Sequence, residues 1–148
     1  MNFYKRFIGD YGRDTGQLTL AEHGAYTLML DSFYATEKPL PKDKKALYRL
    51  LRAETEPEKR AVDHVATQFW EHLQSERAAL VAQLGFGTDE EFHLLGQVAT
   101  DTWFDAGGLI NVRALREIIK AHAIAEKNRR TAILREQNKR AQAAGGQS

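Results

Sequence analysis

The stretch "PLPKDKKALYRLLRAETEPEKRAVDHVATQF" (Pro39–Phe69) decides how this chain is read. A helix starting near Lys42, turning about 100° per residue, puts Leu47, Leu50 and Leu51 on one side. Lys42, Lys45, Arg49 and Arg52 then fall together on the opposite side, with Lys44 and Tyr48 on a flank and Asp43 near the apolar edge. No carboxylate neutralises that stripe. Like charges three or four positions apart cost a helix a few tenths of a kcal/mol, and a helix made only for solubility interleaves Glu with Lys. The stripe is therefore either a solvated face or a surface for phosphate. Thr55 and Glu58 then have capping-box spacing, with Pro57 in the first turn, so a second helix follows after a short corner.

Upstream, Thr19 and Glu22 form another capping box. The helix they open has an apolar face of Leu20, Tyr26 or Thr27, Leu30, Phe33 and Tyr34, and Pro39 ends the run. Before it, "YKRFIGDYGRDT" predicts a short strand around Tyr4–Ile8 and then a loop, because of Gly9 and Gly12. Downstream, Val62, Val65, Ala66, Phe69, Leu73, Leu80, Val81 and Leu84 keep one helical stripe for more than six turns, until "LGFGTDEE" breaks it. Thr88 and Glu91 cap a short helix that buries Phe92, Leu95 and Ala99. "TWFDAGGLINV" predicts a β-hairpin turning at Asp105–Gly108, where glycines supply positive φ. After Asn111 a helix with Leu115, Ile118, Ile119 and His122 on one face runs on until the face thins beyond Ala125.

The expected fold is mainly α with a small β-hairpin (α+β). Three helices followed by a two-stranded wing make a winged-helix-like domain. It would span residues 1–125 and include an inserted helical segment at about 71–101. Residues 126–148 would form a basic extension, helical or disordered.

Composition narrows the function. The 148 residues are 43% hydrophobic and 28% charged, as in a soluble globular protein. No apolar run reaches membrane-spanning length and "MNFYKRFIGDYGRD" lacks an apolar signal core, so no membrane partner is expected. The absence of cysteine excludes disulfides and thiolate chemistry and points to a cytoplasmic setting. The net charge of +1 hides an asymmetry: residues 1–52 hold nine Lys/Arg against six Asp/Glu, residues 53–111 three against eleven, and residues 112–148 nine against three.

One resemblance covers roughly residues 3–70 and 103–130. "FYKRFIGDYGRDTGQLTLAEHGAYTLMLDSFYATEKPLP", and more weakly "GGLINVRALREI" followed by "AEKNRR", resemble the YdaU-like domain family of phages and prophages. The resemblance implies a winged-helix-like, DNA-associated protein of a phage replication region, in the host cytoplasm, with no established active site. Residues 71–101 look inserted relative to that family, and many relatives carry a further C-terminal part expected to be missing here, which puts helicase loading in doubt.

On this reading the helix after Thr55 enters the major groove and presents Arg60, His64, Thr67, Gln68 and Glu71, although Glu54, Glu56 and Glu58 make its approach acidic. Candidate phosphate contacts are Lys42, Lys45, Arg49, Arg52, Lys127, Arg129, Arg130, Arg135, Lys139 and Arg140. The expected function is that of a non-enzymatic phage or prophage DNA-binding protein acting in replication initiation or its regulation. Catalysis is not expected: Ser32, Ser75 and Ser148 have no nucleophile-elbow context, and "GFG" at Gly85–Gly87 is no phosphate loop. No cofactor or metal is expected either, since His122 and Glu126 have ligand spacing but no second pair, and His122 and His23 read as packed structural residues. The rival reading is an adaptor for a host or phage protein, or a homo-oligomer, whose protein-binding surface includes Phe86, Phe92, Leu94 and Leu95 with Trp70 and Trp103, core packing being the plainer expectation for Trp103 and Phe92.

Overall fold

A computed structural model describes residue 1, residue 4 and residues 8–146, without the side chains of residues 8–10. The chain is mainly helical with one small antiparallel sheet. Its elements are α1 (Ile8–Thr15), α2 (Leu20–Thr36), α3 (Lys44–Leu51), α4 (Glu56–Phe69), β1 (Glu71–His72), α5 (Arg77–Leu84), α6 (Asp89–Val98), α7 (Asp101–Ala106), β2 (Leu109–Ile110) and α8 (Val112–Gly145).

Local chemistry sets most of these boundaries. The Thr19 and Thr55 side chains accept from the Glu22 and Glu58 amides while each Glu returns a bond to the cap backbone, so both expected capping boxes form. Thr88 caps α6 through the Glu91 amide, and Asn111 caps α8 through the Ala114 amide. α3 starts two residues later than expected, because Asp43 is its cap rather than part of its apolar edge.

Met29 and Phe33 of α2, Leu47 of α3, Val65 of α4, Leu80 of α5, Leu95 of α6 and Leu115, Ile118 and Ile119 of α8 share one core. Each such side chain contributes about 1.5–3 kcal/mol when fully buried. Trp70 and Trp103 both pack on Phe33.

Several expectations are corrected. Residues 8–15 are a helix, not a loop, and the Thr15 hydroxyl inside it donates to the Tyr11 carbonyl; most of the strand expected at Tyr4–Ile8 falls outside the described residues. The long stripe from Val62 to Leu84 is two helices separated by Trp70 and β1. It reads as continuous because α4 and α5 line the same core. Residues 101–106 are helical, so the first strand of the sheet is not local: Glu71 pairs with Ile110 and His72 with Leu109, across α5, α6 and α7. Leu40 bridges the other edge of Leu109, which makes β2 the centre of a miniature three-stranded arrangement. Gly108 is required there. Its φ is +138°, and a Cβ would lie 2.6 Å from the Leu40 carbonyl oxygen and 2.7 Å from the Pro39 side chain.

Periodicity also misplaced some side chains. Leu20 is 90% exposed at the first turn of α2, and Leu50 and Phe92 are also exposed. Beyond residue 125, α8 continues as unbroken helix with nearly every side chain in solvent.

Candidate nucleic-acid interface

α3 and α4 meet across the corner Arg52–Thr55, where Arg52 takes φ +57° and its amide closes the last turn of α3. With Leu47 and Leu51 in the core, Lys45 and Arg49 lie one turn apart on the opposite, exposed side of α3. The angle between the helices is held by side chains. The Tyr48 hydroxyl donates to Asp63 Oδ1 at 2.6 Å, Lys44 Nζ lies 3.8 Å from the other oxygen, and the Lys59 ammonium sits over the Tyr48 ring. The bond to Asp63 pushes the Tyr48 phenol up to about 12, with desolvation adding to it.

The outer row of α4 is Arg60, His64, Thr67 and Gln68, all exposed. His64 Nε2 is 3.5 Å from Glu22 of α2, so this imidazole is tied to the edge of the row. Among the described residues Arg60 has no ion pair, nor do Lys42, Lys45, Arg49 and Arg52. Lys42 runs beside Gly107. The acids expected at the α4 approach are partly engaged: Glu58 is in the capping box and Glu56 pairs with Lys59. Bonds from the Thr55 hydroxyl and amide hold the Glu58 carboxyl below its ordinary value. Glu71 leaves the row, since β1 carries it and it accepts from Gln83.

A groove of about 520 Å³ lies beside this face, lined by Lys42, Lys44, Thr67, Trp70, His72 and Gln74 among others. The buried Trp70 indole N–H has no partner among the described residues.

The remaining site residues divide. On α8, Arg129 and Arg130 are both held by Glu126, at 2.7 and 3.3 Å, and Arg140 by Glu136. Lys127, Arg135 and Lys139 are exposed, with no ion pair among the described residues. The six cations sit at angles spread around the whole helix, so they do not continue the α3 stripe as one band. Leu95 is only 1% exposed and Leu94 is buried, which removes both from any partner surface; Phe86 is half-buried and Phe92 is exposed. His122 is not a packed core residue. It contacts Glu37 at 2.9 Å, while Glu126 serves the arginines instead of a metal pair. His23 is hydrogen-bonded to Tyr11. Sequence reading missed the pairing of Asp63 with Tyr48, for which a Tyr and an Asp 15 positions apart give no local signal.

The family model described as "Protein of unknown function (DUF1376)" matches residues 2–80. The chain belongs to the DUF1376 family. The match takes in α1–α4 and β1, hence the whole α3–α4 face, whereas α6, α7, β2 and α8 lie beyond it. The Uncharacterized protein YdaU of Escherichia coli (strain K12) is 35% identical over 78 residues, covering 50% of this chain and 27% of that protein. The chain thus spans only about a quarter of the relative's length. No solved structure matches. Among the described residues no helix is long and apolar enough to cross a membrane.

Proposed function

We propose that this DUF1376 protein binds duplex DNA through a helix–turn–helix formed by α3 and α4, within a winged-helix-like arrangement. The observation that carries the reading is the α3–α4 face itself: Lys45, Arg49, Arg52 and Arg60 carry no ion pair among the described residues, beside an outer row on α4 of side chains able to meet base edges. The element order supports it. One helix (α2), an edge residue (Leu40), two helices (α3, α4) and β1 come in winged-helix order, and β2, reached only after α5, α6 and α7, lies between Leu40 and β1.

In this reading the wing differs from a simple basic hairpin. Residues 73–108, which join β1 to β2, hold Arg77 against Glu76, Asp89, Glu90, Glu91, Asp101 and Asp105. A segment of that charge is repelled by phosphate, so affinity rests on α3 and the start of α4, with Thr67 and Gln68 toward the groove. The role proposed is binding rather than catalysis. We propose replication initiation or its control as the setting, on the resemblance to the YdaU-like domain family of phages and prophages.

The test is binding to a random-sequence duplex at low salt. Wild type should bind, with a slope of log affinity against log salt of about −4 if four cations meet phosphate. Lys45→Glu/Arg49→Glu should lose on the order of 100-fold in affinity and about two units of slope. An unchanged affinity and slope in that variant, with its helicity intact, would overturn the assignment.

A further inference from the structure

α8 leaves the domain near residue 125 and continues for about 20 more residues, roughly 30 Å at 1.5 Å per residue. Beyond Ala123 none of its described side chains packs on the core, although most helical stability in proteins comes from such packing. The pairs made by Glu126 and Glu136 add only a few tenths of a kcal/mol each. Yet this segment and its root expose Ile124, Ile133 and Leu134, at 60%, 47% and 58%.

Ile124, Lys127, Thr131 and Leu134 line one groove of about 320 Å³ along α8, with Glu90 of α6 on its bank. Continued along the helix, the same face reads Ile124, Lys127, Thr131, Leu134, Asn138, Ala141, a 3-4-3-4-3 spacing. That spacing matches the a and d positions of a two-stranded coiled coil, here apolar at Ile124, Leu134 and Ala141 and polar at Lys127, Thr131 and Asn138, which lower stability while fixing register.

We infer that the occupant of this groove is α8 of a second copy, running antiparallel. Charge favours this occupant and this direction. Parallel tails would align like cations, since residues 126–140 hold six Lys/Arg against Glu126 and Glu136. An antiparallel pair centred near Arg129 sets Ile124 against the second copy's Leu134. It also carries the second copy's basic tail past the start of α6, where Asp89 and Glu90 are exposed and unpaired among the described residues. The inference is independent of the DNA reading, because it concerns the free protein.

The test is sedimentation equilibrium of the full chain without nucleic acid, at low and high salt. Wild type should show a reversible dimer, and Ile124→Glu/Leu134→Glu should shift it to monomer with circular dichroism showing the domain still folded. Because the chain has no cysteine, direction is read by disulfide trapping: mixed Ile124→Cys and Leu134→Cys chains should cross-link to each other in preference to themselves. A protein that stays monomeric at its highest soluble concentration overturns the inference, as does a dimer unaffected by Ile124→Glu/Leu134→Glu. Self-cross-linking of Ile124→Cys alone overturns the antiparallel arrangement. Association that appears only when DNA is added means the tail serves nucleic acid, and likewise overturns it.

Discussion

The chain has two basic regions, and they are built differently. On α3 and the start of α4 two cations are paired, Lys44 with Asp63 and Lys59 with Glu56, while Lys45, Arg49, Arg52 and Arg60 are exposed and have no carboxylate partner among the described residues. On α8 the cations surround the helix, and three of the six are held by Glu126 and Glu136. Charge counts alone rank the tail first, with nine Lys/Arg against three Asp/Glu in residues 112–148. Arrangement reverses the ranking. A phosphate surface needs cations on one side of a rigid element, and their number matters less than whether an intramolecular acid has already answered them.

The contrast breaks most severely at Gly108. Gly108→Ala forces a Cβ onto the Leu40 carbonyl oxygen at a φ that side chains rarely adopt, with an expected cost of about 2–3 kcal/mol in urea denaturation. Leu40 precedes α3, so DNA affinity should fall with stability while the helicity of the tail persists. Wild-type stability in this variant would mean that the Leu40–β2 bridge does not anchor α3.

Thr55→Ala removes the hydroxyl that caps α4 and should cost about 1 kcal/mol in the same assay. The partner carboxylate adds a pH signature. Glu58 and Glu22 are both held below their ordinary value of 4.5, Glu58 chiefly by the Thr55 hydroxyl and Glu22 by the Thr19 amide. Their contribution is complete above pH 4.5 and is lost as pH falls through the lowered values. Stability should therefore drop below pH 4.5, and the drop should be smaller in Thr55→Ala. At the alkaline end the sign is opposite. The Tyr48 phenol is raised from 10 to about 12, so its link to Asp63 is intact below pH 10 and lost as pH rises toward 12. Tyr48→Phe should abolish that alkaline component of the denaturation profile.

The smallest effect belongs to the tail. Arg135→Glu/Lys139→Glu changes the same formal charge as the α3 double variant, but should weaken duplex binding by only about threefold or less. A loss equal to that of Lys45→Glu/Arg49→Glu would erase the distinction between the two regions.

What could be read from sequence follows the range of the forces involved. The starts of α2, α4 and α6 were legible because a capping residue and its partner amide lie three positions apart. The basic side of α3 was legible because helical geometry alone carries it. The break at Trp70 was not, since no glycine or proline marks it and the core accepts apolar residues from both flanking helices. The sheet was found in kind but its first strand was misplaced, because Glu71 meets Ile110 only after three helices have folded between them. Leu95 was offered to a partner, and His122 to the core, for a related reason: periodicity orients a face without saying what covers it. The self-neutralisation of the tail was within reach, as Glu126 lies three and four residues from Arg129 and Arg130.

The most direct test of the central claim is a residue-resolved amide NMR titration of the full chain with a short duplex. The largest shifts are predicted along residues 44–68, around Lys45, Arg49, Arg60 and Gln68, with little change in α6 and weaker changes beyond residue 126. Shifts confined to residues 126–146, with α3 and α4 silent, would contradict it.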